Sequence, residues 1–202
     1  MLKVTTGLVA ANVIFFLMQI AVRGFTEAAV LVPAEALSGS YWQFITYMFL
    51  HASPSHLVFN MFVLLMFGTA IEAGLGWRRY LLLYLLSGIG AALFYISITG
   101  MGNIPMLGAS GAVFGVLAAY GFMFPSNKIF VPFIPMPIPS IFAIALLGVM
   151  EFVLGAAGLE PGIANFGHLG GLITGILLMS FWKHRMRPKN QEEMRNFEFF
   201  WK

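Results

Sequence analysis

Among the side chains of this 202-residue chain that are polar in or beside otherwise apolar stretches are His56, Asn60, Ser110 and His168. Polar groups within apolar helices are costly and usually face a bundle interior, which makes them functional candidates. A serine hydroxyl that meets an imidazole is an activated nucleophile, and Ser110 and His168 sit in matched settings. Ser110 immediately precedes the first glycine of Gly111-x-x-x-Gly115, and His168 follows the first of Gly167-x-x-x-Gly171-x-x-x-Gly175. Such small-xxx-small faces let helix backbones approach closely, so pairing them would bring hydroxyl and imidazole within hydrogen-bond reach. The spacing equally admits two plain packing motifs whose Ser and His satisfy each other. His56 and Asn60 are four residues apart and share a helix face, where donors aimed at one point would stabilise a developing oxyanion. His51 falls about 140° from His56 on a helical period, with Pro54 between them, and reads as a loop or cap residue rather than half of a metal site.

The elements that must position these residues are membrane spans. The chain is 59% hydrophobic and 9% charged, with a mean hydropathy of +0.87, against about 45–50% and about 25% in soluble domains. Nine charged residues lie between Lys3 and Lys183 and nine more in the last twenty positions, so charge is swept into the tail. A helical crossing needs about 20 apolar residues, and the uncharged stretches supply six: Val4–Val22, His56–Gly74, Tyr80–Thr99, Ala109–Phe124, Ser140–Ala157 and Gly167–Trp182. Gly100-Met-Gly-Asn-Ile-Pro105 separates the third from the fourth. All ten prolines fall outside the spans, and five crowd into Pro125–Pro139 as a stiff extended loop. The first span could instead be a signal peptide, but no A-x-A site follows it closely and Lys3 alone is a thin basic region.

With the N-terminus inside, Lys3, Arg78, Arg79, Lys128 and six basic tail residues are cytoplasmic and Arg23 alone is outside, ten against one, as the positive-inside tendency favours. The expectation is an all-α membrane protein, a six-transmembrane-helix bundle with both termini cytoplasmic. Residues 1–183 form one membrane domain and 184–202 a basic cytoplasmic tail. Spans two, four and six then run from outside to inside and begin at His56 with Asn60, at Ser110 and at His168, at similar depth toward the outer face. The largest extramembrane piece is the outer loop Arg23–Ser55, whose segment Tyr41–Tyr47 has the aromatic content of an interfacial element.

The composition also excludes. The pI near 9.3 comes from a tail and short loops, not from a basic stripe on a folded face, so a nucleic-acid partner is not expected. The chain contains no Cys and no Asp, which removes disulfides, thiolate metal sites, a Cys nucleophile, a paired-aspartate protease and a Ser–His–Asp triad. The His-Glu-x-x-His zinc motif is absent as well, and no cofactor or metal is expected. His168 is then oriented by packing and local hydrogen bonds. Glu72 is expected to pair with Arg78 or Arg79. Glu151 in span five stays open between a charged gate, a buried protonated carboxyl and an outer-end residue.

The set His51-x-x-x-x-His56-x-x-x-Asn60, Gly108-Ala-Ser110-Gly111 and Asn165-x-x-His168-x-x-Gly171-x-x-x-Gly175 resembles the rhomboid family of intramembrane serine proteases, in the expected order over nearly the whole chain. The resemblance implies a Ser–His dyad with Ser110 as nucleophile and His168 as general base. It implies an oxyanion hole from the Ser110 N–H and the side chains of His56 and Asn60. Gly108 would shape the turn at the nucleophile and Phe114 would set an aromatic ring against the imidazole, with Gly111 and Asn165 as further motif positions supporting the site. It also implies a water-filled cavity opening outward, a lateral gate at span five, and substrates that are membrane-anchored proteins cut in or beside a transmembrane segment of the lipid bilayer. Trp42-Gln43 stands where many members have Trp-Arg, which bears on how the first outer loop is anchored. A different class of function, binding transmembrane helices without cleaving them, would use the same polar-lined groove, whereas a transporter would call for an inverted repeat that the sequence lacks. Compactness, without a large extra domain or organelle presequence, favours a prokaryotic plasma membrane, with the active site toward the outer side.

Overall fold

The computed structural model describes residues 3–131, 134–158 and 165–185, and these are mostly helical. The expected tail 184–202 lies almost wholly outside the described residues. The first long helix, α1, is Lys3–Ala21. The outer loop is built from α2 (Phe25–Ala29), α3 (Pro33–Leu37), α4 (Gln43–Thr46) and a 3-10 turn, Tyr47–Phe49. Then come α5 (Pro54–Leu75), α6 (Trp77–Thr99) and α7 (Ser110–Met123). A two-residue antiparallel ladder, β1 (Lys128–Ile129) on β2 (Ile138–Pro139), closes the proline-rich loop, and α8 (Ser140–Ala157) and α9 (Asn165–Arg185) follow.

Each predicted span coincides with a helix, and α1, α5, α6 and α8 are long and apolar enough to cross a membrane. Helix α7 has 14 residues, a rise of about 21 Å against a hydrocarbon core of about 30 Å. It is the central helix, buried along most of its length and packed by α5, α6, α8 and α9. Its neighbours turn large apolar side chains outward, among them Val58, Phe59 and Phe62 on α5 and Phe142 and Phe152 on α8. Polar residues turn inward. On α1 the buried positions are Thr5, Leu8 and Asn12, so this helix shows its polar side to the bundle, as expected where the surrounding solvent is apolar.

Glycine carries the closest contacts. A Cβ added at Gly171 would collide with the Gly111 carbonyl, and one at Gly175 would come within 2.6 Å of the Gly115 carbonyl. The two small-residue faces on α7 and α9 therefore meet backbone to backbone.

One sequence expectation needs correction. Glu72 does not pair with Arg78 or Arg79: its carboxylate accepts hydrogen bonds from Val4 N (2.9 Å), Thr5 N (2.8 Å) and Thr5 Oγ1 (2.7 Å). It thereby caps the start of α1, where backbone donors lack helical acceptors and negative charge is favoured. In the aromatic segment Tyr41–Tyr47, Tyr41 and Trp42 are exposed ahead of α4, and the chain passes into the 3-10 turn at Tyr47. That loop is anchored without the arginine of the resembling family. Gln43 Oε1 accepts from Val32 N at 3.0 Å while its Nε2 donates to Glu35 at 2.9 Å, and Trp42 Nε1 donates to the Ala28 carbonyl at 2.9 Å.

Candidate active site

Three helix starts converge. Helix α5 begins Ser53-Pro54, a capping serine followed by proline at the first helical position; Ser53 Oγ accepts the His56 N–H at 3.1 Å. His56 is thus held in the first turn of α5. The chain enters α7 through Gly108, whose φ of +128° suits glycine and whose N–H is tied to the Tyr47 carbonyl at 3.0 Å. A bridge between Leu31 and Met106 fastens the same loop to the outer loop. Because α7 begins at Ser110, the amides of its first turn have no carbonyl one turn earlier to bond, and they mark the positive end of the helix dipole. Helix α9 carries His168 in its own first turn.

The result is a short contact: His168 Nε2 and Ser110 Oγ are 2.7 Å apart. Phe114, one turn after Ser110, stacks on the imidazole with ring centroids 4.6 Å apart and planes 4° from parallel. The other ring nitrogen, Nδ1, lies 3.0 Å from Glu151 Oε2 on α8, a close contact bent away from an aligned hydrogen bond. The same carboxylate oxygen accepts from Asn165 Nδ2 at 2.8 Å. His168 is therefore held by a carboxylate as well as by packing. Glu151 is the member of the site that sequence reasoning missed. Excluding Asp-based triads left a Glu free to fill that place, and the signal was one acidic residue inside an apolar span.

His56 stands on the opposite wall. A Cβ at Gly108 would lie 3.0 Å from His56 Cε1 and 3.5 Å from Ser110 Oγ, so any larger residue there would fill the space between the two. The Ala52 N–H donates to His56 Nδ1 at 3.4 Å; an Nδ1 that accepts leaves the proton on Nε2, the nitrogen facing Gly108. Asn60 is buried and its Nδ2 donates to the His56 carbonyl at 2.9 Å, which leaves one amide hydrogen for the site. His51 lies outside this group, buried with its ring edge-on to His56 at 5.0 Å. Burial, and then the neighbouring His56, push its imidazole down to about 4, so it is neutral near pH 7. Among the described residues, no cluster of three or more His or Glu side chains is arranged to hold a metal ion.

A cavity of about 980 Å³ begins at Ser110 and His168 and runs on between α5 and α8. Its α5 wall extends from His56 to Phe67, a rise of about 17 Å, with Leu147 and Glu151 of α8 opposite. Polar groups gather at the dyad end, and the rest of the lining is mostly apolar.

Residues 38–185 match the Rhomboid domain model, and the chain belongs to the rhomboid family. It is 36% identical to Rhomboid protease GluP of Bacillus subtilis over 80% of this chain and 31% of that protein. It is 35% identical to RHOMBOID-like protein 6, mitochondrial, of Arabidopsis thaliana over 77% of this chain and 48% of that protein. It is 34% identical to Rhomboid protein 1, mitochondrial, of Saccharomyces cerevisiae over 73% and 43%. The chain spans less than half the length of each of these relatives. The mitochondrial names among them overturn the expectation of a prokaryotic plasma membrane, which rested on compactness; integral membrane character stands.

Proposed function

We propose that this chain is an intramembrane serine endopeptidase that cleaves transmembrane or membrane-anchored protein segments through Ser110 and His168. The observation that carries this reading is the 2.7 Å contact between Ser110 Oγ and His168 Nε2 at one end of the long cavity. Ser110 Oγ attacks the scissile carbonyl carbon as its proton passes to His168 Nε2. The oxyanion forms against the Ser110 N–H at the start of α7, the His56 Nε2–H and the remaining Asn60 amide hydrogen. Collapse breaks the C–N bond, and His168 returns the proton to the leaving amine. A water, deprotonated by the same nitrogen, then hydrolyses the acyl-Ser110 ester and frees the serine.

Six spans with both termini cytoplasmic complete the reading, α7 and α9 being the fourth and sixth. A central helix of about 21 Å in a core of about 30 Å puts Ser110 below the outer surface if its other end reaches the inner one. The apolar wall of α5 facing α8 suits a hydrophobic segment lying alongside the dyad, and no metal or cofactor enters the chemistry. The test is cleavage of a model transmembrane substrate by the purified full chain in liposomes. Ser110→Ala and His168→Ala each abolish turnover while leaving the protein folded and inserted. A protein that only binds transmembrane helices would retain binding in all three forms and cleave in none.

A further inference from the structure

The imidazole of His168 is held on three sides: Ser110 Oγ at Nε2, the Phe114 ring against its face, and the Glu151 carboxylate at Nδ1. Glu151 does not sit at a wet helix end, since its side chain is 16% exposed and that of His168 13%. Nor is it arranged as a protonated acid with a proton to give. Asn165 Nδ2 donates to Oε2 at 2.8 Å, and Nδ1 of the imidazole approaches the same oxygen at 3.0 Å. Two nitrogens converging on one oxygen make an acceptor site, and an ionised carboxylate fills it best. Asn165 is buried and fixes that oxygen from the start of α9, so the carboxylate of α8 is tied to the helix that carries the base.

From this geometry we infer that Glu151 is a positioning residue of the catalytic centre, making a Ser110–His168–Glu151 triad of what the sequence presents as a dyad. The inference rests on the serine-protease reading given above. Glu151 acts through the imidazole rather than on the reacting bond. It keeps the neutral imidazole in the tautomer with its proton on Nδ1, leaving the Nε2 lone pair for the Ser110 hydroxyl. When Nε2 takes the serine proton, the carboxylate offsets the new positive charge. The carboxylate stays ionised throughout; the proton moves from Ser110 to His168 Nε2 and on to the leaving amine. The bent Nδ1 contact is of a kind that tightens when the transition state forms.

The test compares full-length wild type, Glu151→Gln, Glu151→Asp and Ser110→Ala in liposomes, following cleavage of a transmembrane substrate together with thermal unfolding. Glu151→Gln keeps the shape and an oxygen for Asn165 but removes the charge. Its kcat falls by about tenfold or more while KM stays within about twofold and the unfolding midpoint is held, as for loss of an interaction made only in the transition state. Glu151→Asp, one methylene shorter but still a carboxylate, recovers part of the lost kcat. A Glu151→Gln enzyme with wild-type kcat, beside an inactive Ser110→Ala, would overturn the triad and leave the dyad standing. Equal kcat in the Asp and Gln variants would also overturn it, because charge would then be irrelevant. Turnover by Ser110→Ala would remove the serine-protease reading itself.

Discussion

Around Ser110 each neighbour has a separate task, so single substitutions give distinguishable kinetics. As the proposed oxyanion donors, His56 and Asn60 act only where negative charge develops, so replacing His56 with Ala should lower kcat on the order of 10²–10³-fold with little change in KM. Asn60→Ala should cost less, because its Nδ2 already donates to the His56 carbonyl. Steady-state assays in liposomes check both; a His56→Ala enzyme that loses only substrate affinity would remove it from the oxyanion site. A chelator should leave the wild type unaffected, whereas inactivation reversed by zinc would indicate metal ligands. At this scale the sequence was informative about Ser110, His168, His56 and Gly108, whose types and spacing are themselves the chemical signal. It was uninformative about Glu151, Glu72 and Gln43. Each of these finds its partner on a different element, and no local spacing encodes the contacts from Glu151 on α8 to α9, from Glu72 on α5 to the start of α1, or from Gln43 to Val32 and Glu35.

Helices α7 and α9 bring Ser110 and His168 together through glycine. Gly171→Ala would drive a methyl group into the Gly111 carbonyl, a backbone atom with nowhere to retreat, and overpacking of this kind costs about 1–3 kcal/mol. The helices must part for the side chain to fit, so the Ser110–His168 contact is lost along with stability. Gly7→Ala is the control. It lies in α1 with nothing within 4 Å of the added carbon, and it should stabilise by up to about 1 kcal/mol through helix propensity alone. Unfolding midpoints and cleavage rates of the two variants check the contrast, and similar behaviour of both would show that the close approach is unimportant. The helices themselves were legible because apolar runs between turn residues predict them directly, yet their ends were not. Helix α5 starts at Pro54 and α6 at Trp77, ahead of the spans expected at His56 and Tyr80, since a capping serine and an interfacial Trp-Arg-Arg segment extend a helix beyond its apolar stretch.

Among the described residues, Thr5, Asn12, Asn60 and Ser87 are buried while Val58, Phe59, Phe142 and Phe152 are exposed, and the cavity reaches from Ser110 and His168 along α5. The proposed orientation predicts reporter fusions after Met101 outside and those after Asn127 in the cytoplasm, because this arrangement places ten of eleven basic residues inside. A cytoplasmic signal after Met101 would put Ser110 on the wrong face. Membrane character was readable from composition, since a chain with 9% charged residues falls far short of the roughly 25% usual in soluble domains. The location of the membrane was not readable, because compactness says nothing about which bilayer a chain enters. The most direct test of the catalytic account is labelling of the full chain with a fluorophosphonate, followed by mass-spectrometric mapping of the adduct. A Ser–His catalytic pair predicts one adduct, on Ser110, absent in Ser110→Ala and formed far more slowly in His168→Ala. Labelling at another residue, or at an unchanged rate without His168, would contradict it.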